Sequence, residues 1–469
     1  MSRKFQVKTI PSRWLEDNGC RLDCGPYMSG AIEARQILKN INFTKTPLTE
    51  LTESGMSGIF KGKMVKRIFV HDKDNGVPFI NTSGMLSADL SDLPLLSRKM
   101  AQTDKPCYVK EGTTLVSAAG TIGRTAFVRG EMAGMFACSD IMKVIPDVEK
   151  VSAGYLYAFL SSKFGVPLLT SGTFGSIILH IEPFHIASIP VPRLGKIEIE
   201  IHNLVTKAAR LRTDASKLIN DSILLLENEA ALEELATSNG AYFDVNIASS
   251  KALNSRLEGF FHSRYHASAR NSVKNSLHGS FLVSEVAESI IEPTRFKRVQ
   301  VDESESSVPF FGTSPLLWAT PKPIYHLPGR QKNINDYLVS RKTVLIPRSG
   351  QISGLIGSAI LPYGEIAGGA ITEDAIRVNC ETEIDAGYIF IALNSDYGKR
   401  QLKARAYGSS IPHLDVNQIG LVEIPKLPTE TYEKIGQAGL ESALKRENAI
   451  RLEEEAVSIV EQVIIEGGR

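Results

Sequence analysis

The sequence predicts an α+β fold written twice: two homologous α+β domains, each followed by a long α-helix, with the two helices pairing as a coiled coil. Three observations carry this expectation. Residues 153–192 align without a gap to residues 386–425, at an offset of 233 and with 13 identities in 40. Each copy then runs into a segment whose small and apolar residues recur at alternating spacings of three and four. Within each copy, short β-branched runs bounded by Gly and Ser stand beside a short apolar helix.

The repeat extends beyond that block. Arg21-Leu22-Asp23 with Arg35 is echoed by Arg256-Leu257-Glu258 with Arg270, and Val77-Pro78-Phe79 by Val308-Pro309-Phe310. Leu115, Gly120 and Ile122 return as Leu345, Gly350 and Ile352; Asp140, Lys143 and Val144 return as Asp374, Arg377 and Val378. The offset drifts between 230 and 235, as loops change length while a framework stays. Residues 84–107 and 315–336 share little, so a common frame carries different surfaces.

In the globular parts, Thr114–Ser117 and Thr343–Pro347 read as strands. Ser152 and Asp385 read as helix N-caps, and Gly165 and Gly398 as the matching stops. The loops 173–176 and 406–409 follow, then His180 and His413. A histidine repeated at a closing turn reads as a framework residue bonding to backbone; a DNA contact is the alternative.

The long segments set the domain plan: a first globular domain over 1–196, a helix over 197–238, a second domain over 239–428 and a helix over 429–467. The expected seam of the first helix runs through Ile201, Leu204, Ala208, Leu211, Ala215, Leu218, Ser222 and Leu225. Its counterpart runs through Ile435, Ala438, Ser442, Lys445, Ala449, Leu452, Ala456 and Ile459, with Lys445 the polar misfit. At about 1.5 Å per residue, residues 201–229 measure about 42 Å, the length of a spacer.

At 469 residues with 43% apolar content, the chain fills two cores. With no long apolar run and no apolar leader segment at its start, a cytoplasmic, soluble protein is expected. The five cysteines show no paired CxxC spacings, so Cys20 and Cys24 read as unlinked thiols and no metal is expected. Net charge is only +1, yet positive charge is clustered at Lys61, Lys63, Lys66 and Arg67, at Arg295, Lys297 and Arg298, and at Lys399, Arg400, Lys403 and Arg405. Acid concentrates at Glu227, Glu229, Glu233 and Glu234 and at Glu453, Glu454 and Glu455. Basic globular parts alternating with acidic helices suit modules that touch nucleic acid, joined by helices that do not. Arg124 and Arg348, beside the glycine turns, are further candidates because arginine is the commonest reader of guanine edges.

Motifs that would make the chain an enzyme are missing. No N-P-P-[FY] loop, no S-adenosylmethionine glycine loop and no G-x-x-x-x-G-K-[ST] motif occurs. The run Pro146-Asp147-Val148-Glu149-Lys150 sets its carboxylates too close together for a nuclease site.

The segment LVSAAGTIGR at 115–124 resembles the strand-and-glycine-turn motif of the specificity (S) subunits of Type I restriction–modification systems. The GS-x-I-x-H segments at 175–180 and 408–413, followed by I-x-x-I-P-V-P and I-x-x-V-E-I-P, resemble the close of a target recognition domain in that family. The second glycine turn, at 347–354, departs from the G-T-I-G form. The resemblance spans essentially the whole chain. It implies a non-catalytic DNA reader without cofactors, in which each target recognition domain binds half of a split sequence. It also implies that the paired helices space those domains and dock two methyltransferase subunits, with restriction subunits joining the full complex. A coiled-coil scaffold whose globular domains bind proteins is the competing reading.

Overall fold

The computed structural model describes residues 7–468 apart from 18, 19, 21, 23, 173–179, 237–244, 254, 255 and 353. The repeat anchors Arg21 and Asp23, and most of the segment 175–180, therefore lie outside the described residues. The fold is mixed α and β. Its internal contacts divide it into two compact units, 1–213 with 449–469, and 214–448.

Among the described residues the first unit holds three sheets. Lys45–Pro47 pairs with Pro190–Pro192. A four-stranded antiparallel sheet runs Ile59–Lys61, Ile141–Val144, Thr114–Ser117, Thr125–Phe127. A second four-stranded sheet runs Phe69–Val70, Leu95–Ser97, Gly76–Ile80, Phe136–Ala137, the last pair parallel. The strand Thr114–Ser117, read from its β-branched run, turns back through Gly120 (φ 72°) and Gly123 (φ 77°), a region that favours glycine. The turn is locked by Ser117, whose Oγ donates to Thr121 O at 2.7 Å and accepts from Arg124 N at 2.9 Å.

The helix Ala153–Ser161 forms the middle of the main core, where Tyr155, Leu156, Phe159 and Leu160 are fully buried. An apolar helix without a polar face has to be enclosed on all sides. Tyr155 stays satisfied there by donating its hydroxyl to Pro192 O. Gly154 sits against the first long helix, where a Cβ would lie 2.9 Å from His202 Cα, and it donates its N–H to His202 Nδ1 at 3.1 Å.

The second unit repeats the plan. Ser280–Leu282 pairs with Glu423–Pro425. Ser289–Ile291, Ala375–Asn379 and Thr343–Pro347 form a three-stranded sheet. Tyr325–Pro328, Ser307–Phe311 and Ala370–Ile371 form another, again with one parallel pair. The helix Glu383–Asn394 is buried like its counterpart, and Tyr388 donates to Pro425 O at 2.7 Å. Gly387 meets Gly436 on the second long helix; a Cβ there would stand 2.1 Å from Gly436 O, so the crossing excludes any side chain.

The expected caps need correction. Ser152 is the N-cap of its helix, but its hydroxyl bonds to Glu198 O at 3.2 Å instead of capping. In the second unit Thr382 is the cap, accepting from Asp385 N, and Asp385 lies in the first turn. Gly165 and Gly398 do not stop these helices; each lies in the opening turn of the next, Gly165–Thr170 and Asp396–Arg405. Both pack against the preceding helix so closely that a Cβ would fall within 2.4 Å of a carbonyl oxygen.

The long helices span Ile197–Glu229 and Thr429–Glu466. In the first, burial falls at Ile201, Val205, Ala208, Arg212, Ala215, Ile219, Ser222 and Leu226. The expected Leu204, Leu211, Leu218 and Leu225 are half-buried beside that stripe. In the second helix Ala449, Leu452 and Ala456 are buried as expected, while Ile459 is half-buried and Val460 buried. Lys445 is half-buried and pairs with Glu441 at 3.1 Å. Within the first unit Ala208, Ala449 and Leu452 form one cluster, with Leu204 and Leu211 packed against it. Small residues sit at the centre and leucines at its flanks, which is why a pattern led by leucine falls one residue short. Arg212 and Glu453, both buried, form an ion pair in the same helix surfaces.

Candidate nucleic-acid interface

Each unit holds a buried cation that bonds to the end of its parallel strand. In the first, Lys143 lies on the strand Ile141–Val144 at 1% exposure. Its ammonium donates to Ala137 O at 3.1 Å and Cys138 O at 2.9 Å. Burial lowers its pKa, opposed by Cys107, Cys138 and Asp104. In the second, Arg377 at 2% exposure donates to Ile371 O at 2.7 Å and Thr372 O at 3.0 Å. Burial pushes its pKa down to about 10. Burying a cation is costly unless its donors are met; the Lys143 ammonium and the two terminal nitrogens of Arg377 find backbone carbonyls, while Arg377 Nε has no partner, and these bonds tie down the end of the parallel strand.

That pinned chain carries a carboxylate in each unit. Asp140 pairs with Arg67 at 3.3 Å, and Glu373 pairs with Arg298. The guanidinium of Arg67 lies 5.6 Å from the ring centroid of Phe79, and that of Arg298 lies 4.7 Å from Phe310. Both phenylalanines are core residues of the central strand, at 2% and 1% exposure. A carboxylate at one edge and an aromatic ring under one face hold the guanidinium in a defined plane. Each arginine follows a lysine and precedes its phenylalanine by twelve positions, as Lys66-Arg67 with Phe79 and Lys297-Arg298 with Phe310. That shared spacing was present in the sequence and is the signal that singles out these two arginines from the other basic residues.

Around them, Lys63, Lys66, Arg295 and Lys297 are exposed. The Lys63 backbone N–H is held by Asp104 Oδ2 at 2.6 Å, which fixes the loop and leaves the side chain outside. Arg295 lies 3.8 Å from Glu373, the carboxylate that Arg298 also uses. Lys61 is half-buried and bonds Glu182 at 2.6 Å.

The remaining candidates are placed differently. Arg348 pairs with Glu292 at 3.1 Å and approaches Asp374 at 4.0 Å. Its N–H bonds Asp374 O at 2.8 Å, as the Ala118 N–H bonds Asp140 O at 2.8 Å, so the first-unit counterpart of Arg348 is Ala118 and not Arg124. Arg124 lies half-buried at the end of the glycine turn. Lys399 is buried at 6% exposure. Arg400 donates to Ala236 O at 2.7 Å and Tyr265 O at 3.2 Å and stacks on Tyr265, so its charge serves the second unit's interior. Lys403 packs its stem against Gly357. Of this basic run, helix Asp396–Arg405 buries Lys399 and Arg405 and leaves Arg400 and Lys403 half-buried.

His413 bonds Ser349 Oγ through Nδ1 at 2.7 Å and bridges both Ser349 and Tyr407 by backbone, in keeping with a framework histidine. His180 bridges Ala119 in the same way. Cys20 and Cys24 are free. Among the described residues no cluster of three or more His, Cys, Asp or Glu side chains could hold a metal ion, and no helix is long and apolar enough to cross a membrane.

No family model matches the chain, and no curated protein matches it. Among solved structures it is similar to a Type I restriction–modification system S subunit from M. genitalium, at 14% identity and a TM-score of 0.35, over 91% of this chain and 96% of that one. It is similar to an HsdS subunit from Thermoanaerobacter tengcongensis at 13% identity and a TM-score of 0.27, over 90% and 96%. A third is a chain from work on complex assembly and conformational transition of the type I R-M system, at 14% identity and a TM-score of 0.27, over 91% and 97%.

Proposed function

We propose that this chain is a non-catalytic, cytoplasmic DNA-specificity subunit of a Type I restriction–modification system. In this reading the domains 1–196 and 239–428 are target recognition domains, each binding one half of a bipartite duplex sequence. The helices pair as a coiled coil that spaces the two domains and docks two methyltransferase subunits, and restriction subunits join the complete complex. The observation that carries the reading is the doubled construction: Lys143, Asp140, Arg67 and Phe79 in one unit, and Arg377, Glu373, Arg298 and Phe310 in the other. Two related readers in one chain suit a target with two parts. Arg67, Lys63 and Lys66 form the proposed DNA surface of the first unit, bordered by Arg124, and Arg298, Arg295 and Lys297 that of the second, bordered by Arg348. Lys61 supports the fold of the first unit, and Lys399, Arg400 and Lys403 that of the second.

The test is selection from random-sequence duplexes by the purified full chain, with methyltransferase subunits present. Recovery of two short motifs separated by a fixed stretch of unselected bases supports the reading. Recovery of no motif at moderate salt contradicts it and favours the protein-binding scaffold.

A further inference from the structure

The doubled site narrows the question of which residues read bases. A residue that reads sequence in both halves of a duplicated protein must stand at equivalent positions, offer hydrogen-bond donors in a fixed geometry, and be reachable from outside. Arg348 fails the first condition because Ala118 is its first-unit counterpart. Lys66 and Lys297 are equivalent and exposed, but an ammonium on a flexible stem is a point charge suited to phosphate. Arg67 and Arg298 meet all three. Their side chains are 49% and 30% exposed, and their partners Asp140 and Glu373 are 44% and 10% exposed.

The geometry has a chemical consequence. A guanidinium carries five N–H donors in a planar fork. The bond from Arg67 to Asp140 Oδ2 uses NH2, and Phe79 lies beneath the group. The plane is set and donors remain. Guanine offers O6 and N7 side by side in the major groove, which is the pair of acceptors that a fork matches. Ordering the side chain in advance removes part of the entropic cost of binding. The buried cation one step further in holds the loop that holds the carboxylate, so the orientation is anchored to the core.

Building on the function proposed above, we infer that Arg67 and Arg298 are the base-reading residues of their respective units. Each presents its guanidinium to a guanine edge, and Asp140 and Glu373 are positioning residues that set its plane. The two sites are not identical. Glu373 is the more buried carboxylate and also faces Arg295, with Arg298 lying additionally 5.6 Å from Phe296. The second unit therefore holds its reader more firmly and discriminates more sharply at that base pair.

The experiment is duplex selection from a random library with the full-length chain and its variants. Arg67→Lys keeps the stem over Phe79 and the charge while removing the fork. It is expected to lower discrimination at one position of one half-site by roughly tenfold or more, with total affinity little changed and the other half-site intact. Arg298→Lys does the same in the other half-site. Asp140→Asn broadens the position that Arg67→Lys broadens, and Asp140→Glu restores it. Lys66→Ala lowers affinity for every duplex and leaves both motifs as they are. A wild-type motif that survives both arginine variants, with affinity falling evenly across sequences, overturns the assignment and makes these residues phosphate clamps. A wild-type chain that enriches no motif overturns the DNA-reading function together with it.

Discussion

Lys143 and Arg377 hold the same place in the two units: each is a buried cation on an inner strand, bonded to the last carbonyl of the parallel strand and the one after it, Ala137 and Cys138 in one and Ile371 and Thr372 in the other. Lysine and arginine reach the same pair of acceptors by different head groups. What is kept between the copies is the cation and its targets; the carboxylate that meets the arginine differs by one position, Asp140 in one unit and Glu373, the neighbour of its counterpart Asp374, in the other.

Removing either cation should destabilise its own unit. Lys143→Met removes the lysine donor from Ala137 O and leaves Cys138 O only the Ile141 N–H, at a cost of about 1–3 kcal/mol. Arg377→Met should behave alike. Denaturant unfolding of the full chain should show the loss, while Lys143→Arg retains most of the stability. A change below about 0.5 kcal/mol in both methionine variants would mean the carbonyls find other donors.

The buried pair Arg212–Glu453 yields a second expectation. Breaking it from one side strands a buried charge, so Arg212→Met should cost about 3–5 kcal/mol. The double variant Arg212→Met with Glu453→Leu should lose much less, because no charge is left behind. A double-mutant cycle with additive losses would contradict this.

Acid should weaken the second unit through His266. Burial, with Arg400, Arg270 and Lys403 nearby, brings its pKa down from 6.5 to about 4. The unfolded chain takes up a proton at higher pH than the folded one, so the contribution is complete above pH 6.5 and is lost as pH falls toward 4. The full amount is at most about 3 kcal/mol, reduced by screening. Thermal unfolding of wild type and His266→Gln across this window should converge at low pH; parallel curves would rule the histidine out.

Salt dependence separates the lysines. Lys63 and Lys66 are exposed, whereas Lys61 is held by Glu182. Replacing Lys63 and Lys66 with Ala should weaken binding to all duplexes and reduce the slope of log affinity against log salt by about two. Lys61→Ala should leave that slope almost unchanged. Equal effects of all three on the slope would show that the Glu182 contact opens on binding.

Much of this fold was legible in the sequence, for reasons that can be traced. Thr114–Ser117 and Thr343–Pro347 were readable because β-branched residues crowd between turn formers. The buried helices at 153 and 383 were readable from their apolar runs. The repeated Lys143 and Arg377 were visible as echoes, but nothing in period-two patterning says that a charged residue points inward. Lys399 was counted among exposed charges for the same reason. The long helices were legible as helices and the expected seam holds Ala208, Ser222 and Ser442 on the buried stripe, but the leucines expected between such positions in the first helix stand beside the buried Val205, Arg212, Ile219 and Leu226. Asp385 carried the right chemistry for a cap, but Thr382 three residues earlier takes that place. The equivalence of Arg67 and Arg298 required only a fixed distance to Phe79 and Phe310.

In the function proposed above, the long helices hold two readers apart so that each meets one half-site. The direct measurement is the recognised motif of a chain with seven residues added to each long helix, after Thr213 and before Ala449, which preserves a repeat of seven in both. Each helix gains about 10 Å, equal to roughly three base pairs at about 3.4 Å. Methylation-site sequencing of the assembled complex should return the same two half-sites with a spacer lengthened by about three. An active complex with an unchanged spacer would contradict the account.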